Sequence, residues 1–163
     1  MKRSSILSRL ARTARALSTG TRPDGRRQRV EDRYPGDYTG VVQPEYAPDP
    51  DGEPDPGEIV WTWVPYEEDH TRGKDRPVLV VGRDGRWLLA LMLTSRDHDA
   101  GPQRRDEVWL DLGTGDWDRR RRPSEIRIDR TIRVDPATVR REGAVLDRER
   151  FGRVVESLAR LPG

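Results

Sequence analysis

An Asp84-Gly85 dipeptide between two apolar runs most limits the folds open to this chain. Residues 77–81 (PVLVV) precede it and residues 87–93 (WLLALML) follow it. A third run, residues 59–64 (IVWTWV), lies one polar loop upstream. All three are too short, and too rich in Val and Trp, for helices, so they predict three strands. Asp-Gly between such runs predicts a hairpin, because a tight primed turn needs positive φ and these residues tolerate it. That hairpin brings Arg76, opening one strand, to the same end of the sheet as Thr94, closing its partner. A guanidinium held beside a hydroxyl is a phosphate-binding arrangement.

Downstream, residues 107–112 (EVWLDL) alternate with the strand period, and residues 124–128 and 131–134 read as two further short strands. Polar loops at 95–105 and 113–123 separate them. Asp135-Pro136 reads as a cap with proline in the first turn, and Gly143 as a stop, predicting a helix of about two turns. Asp147 caps a last helix, where Phe151, Val154, Val155, Leu158 and Leu161 form one stripe. Five or six short strands with a helical lid predict a small, strongly bent antiparallel barrel.

The chain has 163 residues, 33% hydrophobic and 37% charged, too polar for a core running its whole length. Charge is segregated. Residues 1–30 hold nine Lys/Arg against one Asp, and residues 31–60 hold nine Asp/Glu against one Arg. The organisation predicted is therefore a basic arm over 1–18, a disordered Pro/acidic linker over 19–56 and a barrel domain over 57–163. In the arm, Ile6, Leu7, Leu10, Ala14 and Leu17 recur at helical spacing; a nucleic-acid or membrane-surface arm and a frayed tail both fit. In the linker, alternating prolines and carboxylates predict an extended, solvated spacer. No cysteine is present, which excludes disulfides and thiolate metal sites, and two histidines 28 residues apart argue against a dedicated metal centre. No apolar run approaches a membrane span.

In order, these pieces resemble the MazF/PemK toxin family. The matching residues are the GEIVW strand at 57–61, the Arg-Pro-Val-Leu-Val-Val run at 76–81, the Leu-Thr-Ser ending at 93–95 and the PSEIRIDRTIRV segment at 123–134. The resemblance covers residues 57–161. It implies an SH3-like barrel of the MazF/CcdB type, a cytoplasmic homodimer, and metal- and cofactor-independent cleavage of single-stranded mRNA. It also implies inhibition by a cognate antitoxin. It carries the family's arginine and threonine onto Arg76 and Thr94, with Ser95 a neighbouring alternative. Two departures stand out. The loop before the arginine, commonly rich in Gly, Ser and Glu, is here EEDHTRGKD, which bears on substrate preference, and Asp129 replaces an aliphatic residue.

RNA carries its own nucleophile, the 2′-hydroxyl, so a metal-free nuclease needs chiefly a preorganised charge at the phosphorane. Arg76 suits that role and, with a pKa above about 12, is a poor base. Proton donation to the leaving 5′ oxygen is its second expected role. Thr94 would hold the phosphate or orient the 2′-hydroxyl. His70 has the pKa for acid–base work, though a histidine in a polar loop is also commonly just solvated. Arg72 and Lys74 add cations beside it. Arg119, Arg120, Arg121 and Arg122 could track the RNA backbone with Trp117 stacking on a base. Equally, the arginines could be a solvated loop with Trp117 folded onto the barrel. Two other functions compete with the nuclease. One is a non-catalytic RNA- or protein-binding module on the same barrel. The other is a gyrase poison like CcdB, against which the Leu161-Pro162-Gly163 terminus speaks.

Overall fold

The computed structural model describes residues 34–95 and 106–162. The basic arm, residues 19–33 of the linker and nearly all of the 95–105 loop lie outside the described residues. Seven strands form one antiparallel sheet: β1 (Glu58–Pro65), β2 (Gly73–Asp84), β3 (Trp87–Thr94), β4 (Trp109–Gly113), β5 (Ser124–Arg127), β6 (Ile132–Val134) and β7 (Arg141–Val145). One helix, α1 (Arg148–Ala159), follows. The order is β4-β5-β3-β2-β1-β7, with β6 also on β3. Because β3 pairs with β6 through Leu88–Ala90 and with β5 through Leu93 and Thr94, the sheet curls into a half-barrel. No helix among the described residues is long and apolar enough to cross a membrane.

The β2–β3 hairpin closes on Asp84 and Trp87, so the turn residues are Gly85 and Arg86, one place later than Asp84-Gly85. Gly85 has a φ of 58°, the geometry of a primed turn that takes glycine first. A bulge follows in β2 between Val80 and Gly82. Apolar residues alternate to both faces of the central strands. Ile59, Leu79, Leu91, Leu93, Trp117 and Ile126 belong to a cluster that Phe151 and Val154 of α1 close. Val60, Val78, Val80, Ala90, Ile132 and Val134 form a second cluster. The stripe of α1 therefore serves the core, and Asp147 caps the helix by accepting from Arg150 N at 2.9 Å, a contact worth about 1 kcal/mol.

The predicted two-turn helix ending at Gly143 does not form. Asp135 does act as a cap, accepting from Ala137 N at 3.0 Å, but only one 3-10 turn follows, Pro136–Thr138. The chain then enters β7, which runs through Gly143 and pairs with β1. Gly143 is the extra residue where the β1–β7 register shifts, and a Cβ there would sit 2.6 Å from the Ile59 carbonyl oxygen. The glycine permits a close backbone approach instead of ending a helix. Gly143→Ala should lower stability by about 1–3 kcal/mol, the usual range for overpacking, read as an earlier thermal unfolding midpoint.

The linker expectation also fails over residues 34–57, which lie as a strap across the sheet. Glu45 N donates to Val81 O and Gly57 N to Val80 O, both at 2.9 Å, using carbonyls at the β2 bulge. Tyr46 packs on Phe151, 4.9 Å between ring centroids, and donates its hydroxyl to Leu146 O at 2.8 Å. Arg130, 6% exposed, grips Asp37 with two hydrogen bonds of 2.8 and 3.1 Å, and Tyr38 N donates to Thr131 O. The tyrosines bring apolar area and a hydroxyl to a stretch whose prolines and carboxylates alone predict solvation.

Candidate active site

Arg76 and Thr94 reach one cavity through the hairpin register. The β2–β3 pairing ends at Val78 and Met92, and Arg76 and Thr94 each lie two residues beyond that end. On its other side Arg76 pairs with Thr62 of β1. A cavity of about 200 Å³ opens there, lined by both residues together with Lys74, Asp75, Ser95, Arg122 and Ser124. Trp61, Pro77, Leu93 and Trp117 supply its apolar wall. Thr94 is buried and Ser95 exposed.

Asp75 Oδ2 takes an ion pair from Arg140 at 2.9 Å, and Glu67 takes one from Arg127 at 2.8 Å. Asp75 Oδ1 is buried and accepts no hydrogen bond. Asp118, on the cavity wall, is bonded by Arg122 Nε at 2.7 Å, and that bond holds its carboxyl below the usual carboxylate range. A bonded, ionised Asp118 fixes Arg122 at the rim.

The other sequence candidates separate. Trp117 is 3% exposed and belongs to the core. Its indole N–H donates to Ser124 Oγ at 3.0 Å and its carbonyl accepts from Trp61 Nε1 at 3.1 Å. It is folded onto the barrel, so an open stacking platform is not formed; its edge lines the cavity. Of the four arginines, Arg122 alone lines the cavity. Arg121 pairs with Asp116, and Arg119 and Arg120 are exposed. His70 lies away from the cavity, edge-on to Tyr34 at 5.0 Å between centroids and 3.9 Å from Asp37. Arg72 stands over the Tyr66 ring at 5.7 Å. Burial opposes the charge of Asp37, and the bonds from Arg130 and Tyr34 outweigh it, lowering its pKa.

Asp75, Trp61, Asp118 and Ser124 were not singled out for the site. Asp75 had one available signal, its place between Lys74 and Arg76. Ser124 reaches the cavity only because β5 pairs with the end of β3, which no local pattern announces.

The arrangement can hold a phosphodiester: three cations and a buried hydroxyl converge on a space with an apolar wall. Comparison with known proteins identifies the family. The model of the PemK-like, MazF-like toxins of type II toxin–antitoxin systems matches residues 55–161. Among solved structures the chain is similar to the Mycobacterium tuberculosis toxin MazF-mt6, at 18% identity and a TM-score of 0.41, over 63% of this chain and 92% of that one. No curated protein sequence matches it. With two thirds of its length matched by the family model, this chain belongs to the PemK-like, MazF-like toxin family of type II toxin–antitoxin systems.

Proposed function

We propose that the protein is a cytoplasmic, metal-independent endoribonuclease toxin that cleaves single-stranded RNA, acts as a homodimer and is neutralised by a cognate antitoxin. The observation that carries this reading is the shared cavity of Arg76 and Thr94, in a chain of a family whose members are generally RNA endonucleases. The RNA 2′-hydroxyl attacks the adjacent phosphorus: its proton passes to solvent, a new O2′–P bond forms, the P–O5′ bond breaks and the 5′ oxygen takes up a proton. Arg76 stabilises the phosphorane charge, which a preorganised guanidinium does without reorganising. It also stands as the donor to the departing 5′ oxygen. Thr94 hydrogen-bonds the phosphate or aligns the 2′-hydroxyl, and Lys74 and Arg122 hold the flanking backbone.

Purified protein incubated with single-stranded RNA and a chelator should yield fragments ending in 2′,3′-cyclic phosphate and 5′-hydroxyl. All-deoxy strands of the same sequence should stay intact, because they lack the nucleophile. Products ending in 3′-hydroxyl would overturn the mechanism. Binding of RNA with no cleavage would support the alternative, a binding module; the acidic residues Asp75 and Asp118 in the cavity are what favour it.

A further inference from the structure

Arg76 lines two cavities. Beyond the one described lies a second, of about 230 Å³, walled by Val64, Pro65, Tyr66 and Met92 and rimmed by carboxylates. We infer that this second cavity seats a nucleobase flanking the phosphate held at Arg76, and that it selects a base carrying an exocyclic amine over uracil. The inference rests on the nuclease reading for its phosphate and deepens it by naming the substrate.

The charge balance differs on the two sides of Arg76. Around the first cavity, Lys74, Arg76, Arg122 and Asp75's partner Arg140 oppose two carboxylates, Asp75 and Asp118. Around the second, Glu67, Glu68 and Glu107, with Asp37 and Asp129 as partners of its arginines, oppose three guanidiniums, Arg76, Arg127 and Arg130. Four cations against two anions suit a phosphate, whereas five anions against three cations repel one. The strand's backbone therefore belongs on the first side, and what can enter the second is a neutral ring.

The chemistry of the second cavity selects among rings. Its apolar walls take a flat face, and its carboxylate oxygens accept hydrogen bonds. Arg127, 6% exposed, holds Glu67 at 2.8 Å through Oε2. The other oxygen, Oε1, is thereby fixed in direction on a side chain still 43% exposed. Glu107 is more committed, to Arg127 at 3.5 Å and to Trp109 Nε1 at 3.1 Å. A fixed carboxylate oxygen accepts from the N4 amine of cytosine or the equivalent amine of adenine, and meets the O4 of uracil as acceptor against acceptor.

The test uses the full chain and short RNAs with one ribonucleotide linkage in an otherwise deoxy strand. The base on each side of that linkage is cytosine, uracil or pyrimidin-2-one, which is cytosine without its amine. A parallel arm measures binding of all-deoxy versions. At one flank cytosine should exceed uracil by roughly 10-fold, the low end for one base contact, with pyrimidin-2-one falling to the uracil level. Glu67→Gln, which keeps an acceptor for Arg127 but offers N–H donors, should flatten or invert the ratio. Equal values for all three bases at both flanks, in both arms, would overturn the inference. If nothing is cleaved but the binding arm shows the ratio and its loss in Glu67→Gln, the nuclease reading fails and the base site stands.

Discussion

Arg76→Ala should lower the rate of RNA cleavage by about 10²-fold or more, the loss that follows removal of one transition-state donor. The residue is held by backbone pairing with Thr62 of β1, two residues beyond the end of the β2–β3 ladder. Truncation should therefore leave the sheet in place and remove a cation from the two cavities that Arg76 lines. Arg76→Lys separates two contributions. A lysine restores charge but not the two-pronged grip of guanidinium on phosphate oxygens, so it should recover only part of the rate. Because the interaction strengthens as the phosphorane forms, the loss should fall on kcat more than on KM. Single-turnover kinetics on a short RNA read both, and an Arg76→Ala protein with the native fold and undiminished kcat would remove this residue from the mechanism.

Arg127→Ala should be the most damaging single truncation for stability, by about 3–5 kcal/mol, the range for breaking a buried ion pair by deleting one partner. Arg127 is nearly inaccessible and meets Asp129 at 2.8 Å, Glu67 at 2.8 Å and Glu107 at 3.5 Å. Without it three carboxylates face one another across a half-buried space. The effect has a pH signature. Burial opposes the charge of Asp129, but the bonds from Arg127 and from Val108 N outweigh it and lower its pKa. A carboxylate held below its unfolded pKa of about 3.9 contributes stability that is full above that value and lost as pH falls through the folded one. The native protein should therefore weaken in acid, while the variant, already without the pairing, should lose less. Urea midpoints at pH 7 and at about pH 2, well below the unfolded carboxylate pKa, measure the difference, and a gap between the two proteins that does not narrow in acid would contradict the assignment.

The parts of this fold legible from sequence are those where one face is apolar and the turn is short. β1, β2 and β3 announce themselves by Val and Trp runs, and the hairpin turn fixes the register. Hence the hairpin alone sets Arg76 and Thr94 at one end of the sheet, while the bulge between Val80 and Gly82, which shifts the register by one, was not legible. The stripe from Phe151 to Leu161 was equally plain. β7 was not, because its residues Arg141, Glu142 and Gly143 lack any alternation and its glycine serves a bulge against Ile59 O. The setting of His70 was hidden because Asp37 and Tyr34 lie more than thirty residues upstream. Trp117, beside four arginines, fits a ring open to RNA and a ring folded onto the barrel equally well; its burial depends on α1, β1 and Ser124 arriving from separate parts of the chain.

The strap over residues 34–57 bears on how the protein should be produced. The family model begins at residue 55, and a gene trimmed to that border would discard Tyr38, Tyr46 and the amide of Glu45. Two rings would vanish from the margin of the core, and the Val81 carbonyl would lose its donor. The smallest portion worth expressing thus starts upstream of Tyr34, and a shorter version that misbehaves would report on the missing wrapper before it reported on catalysis.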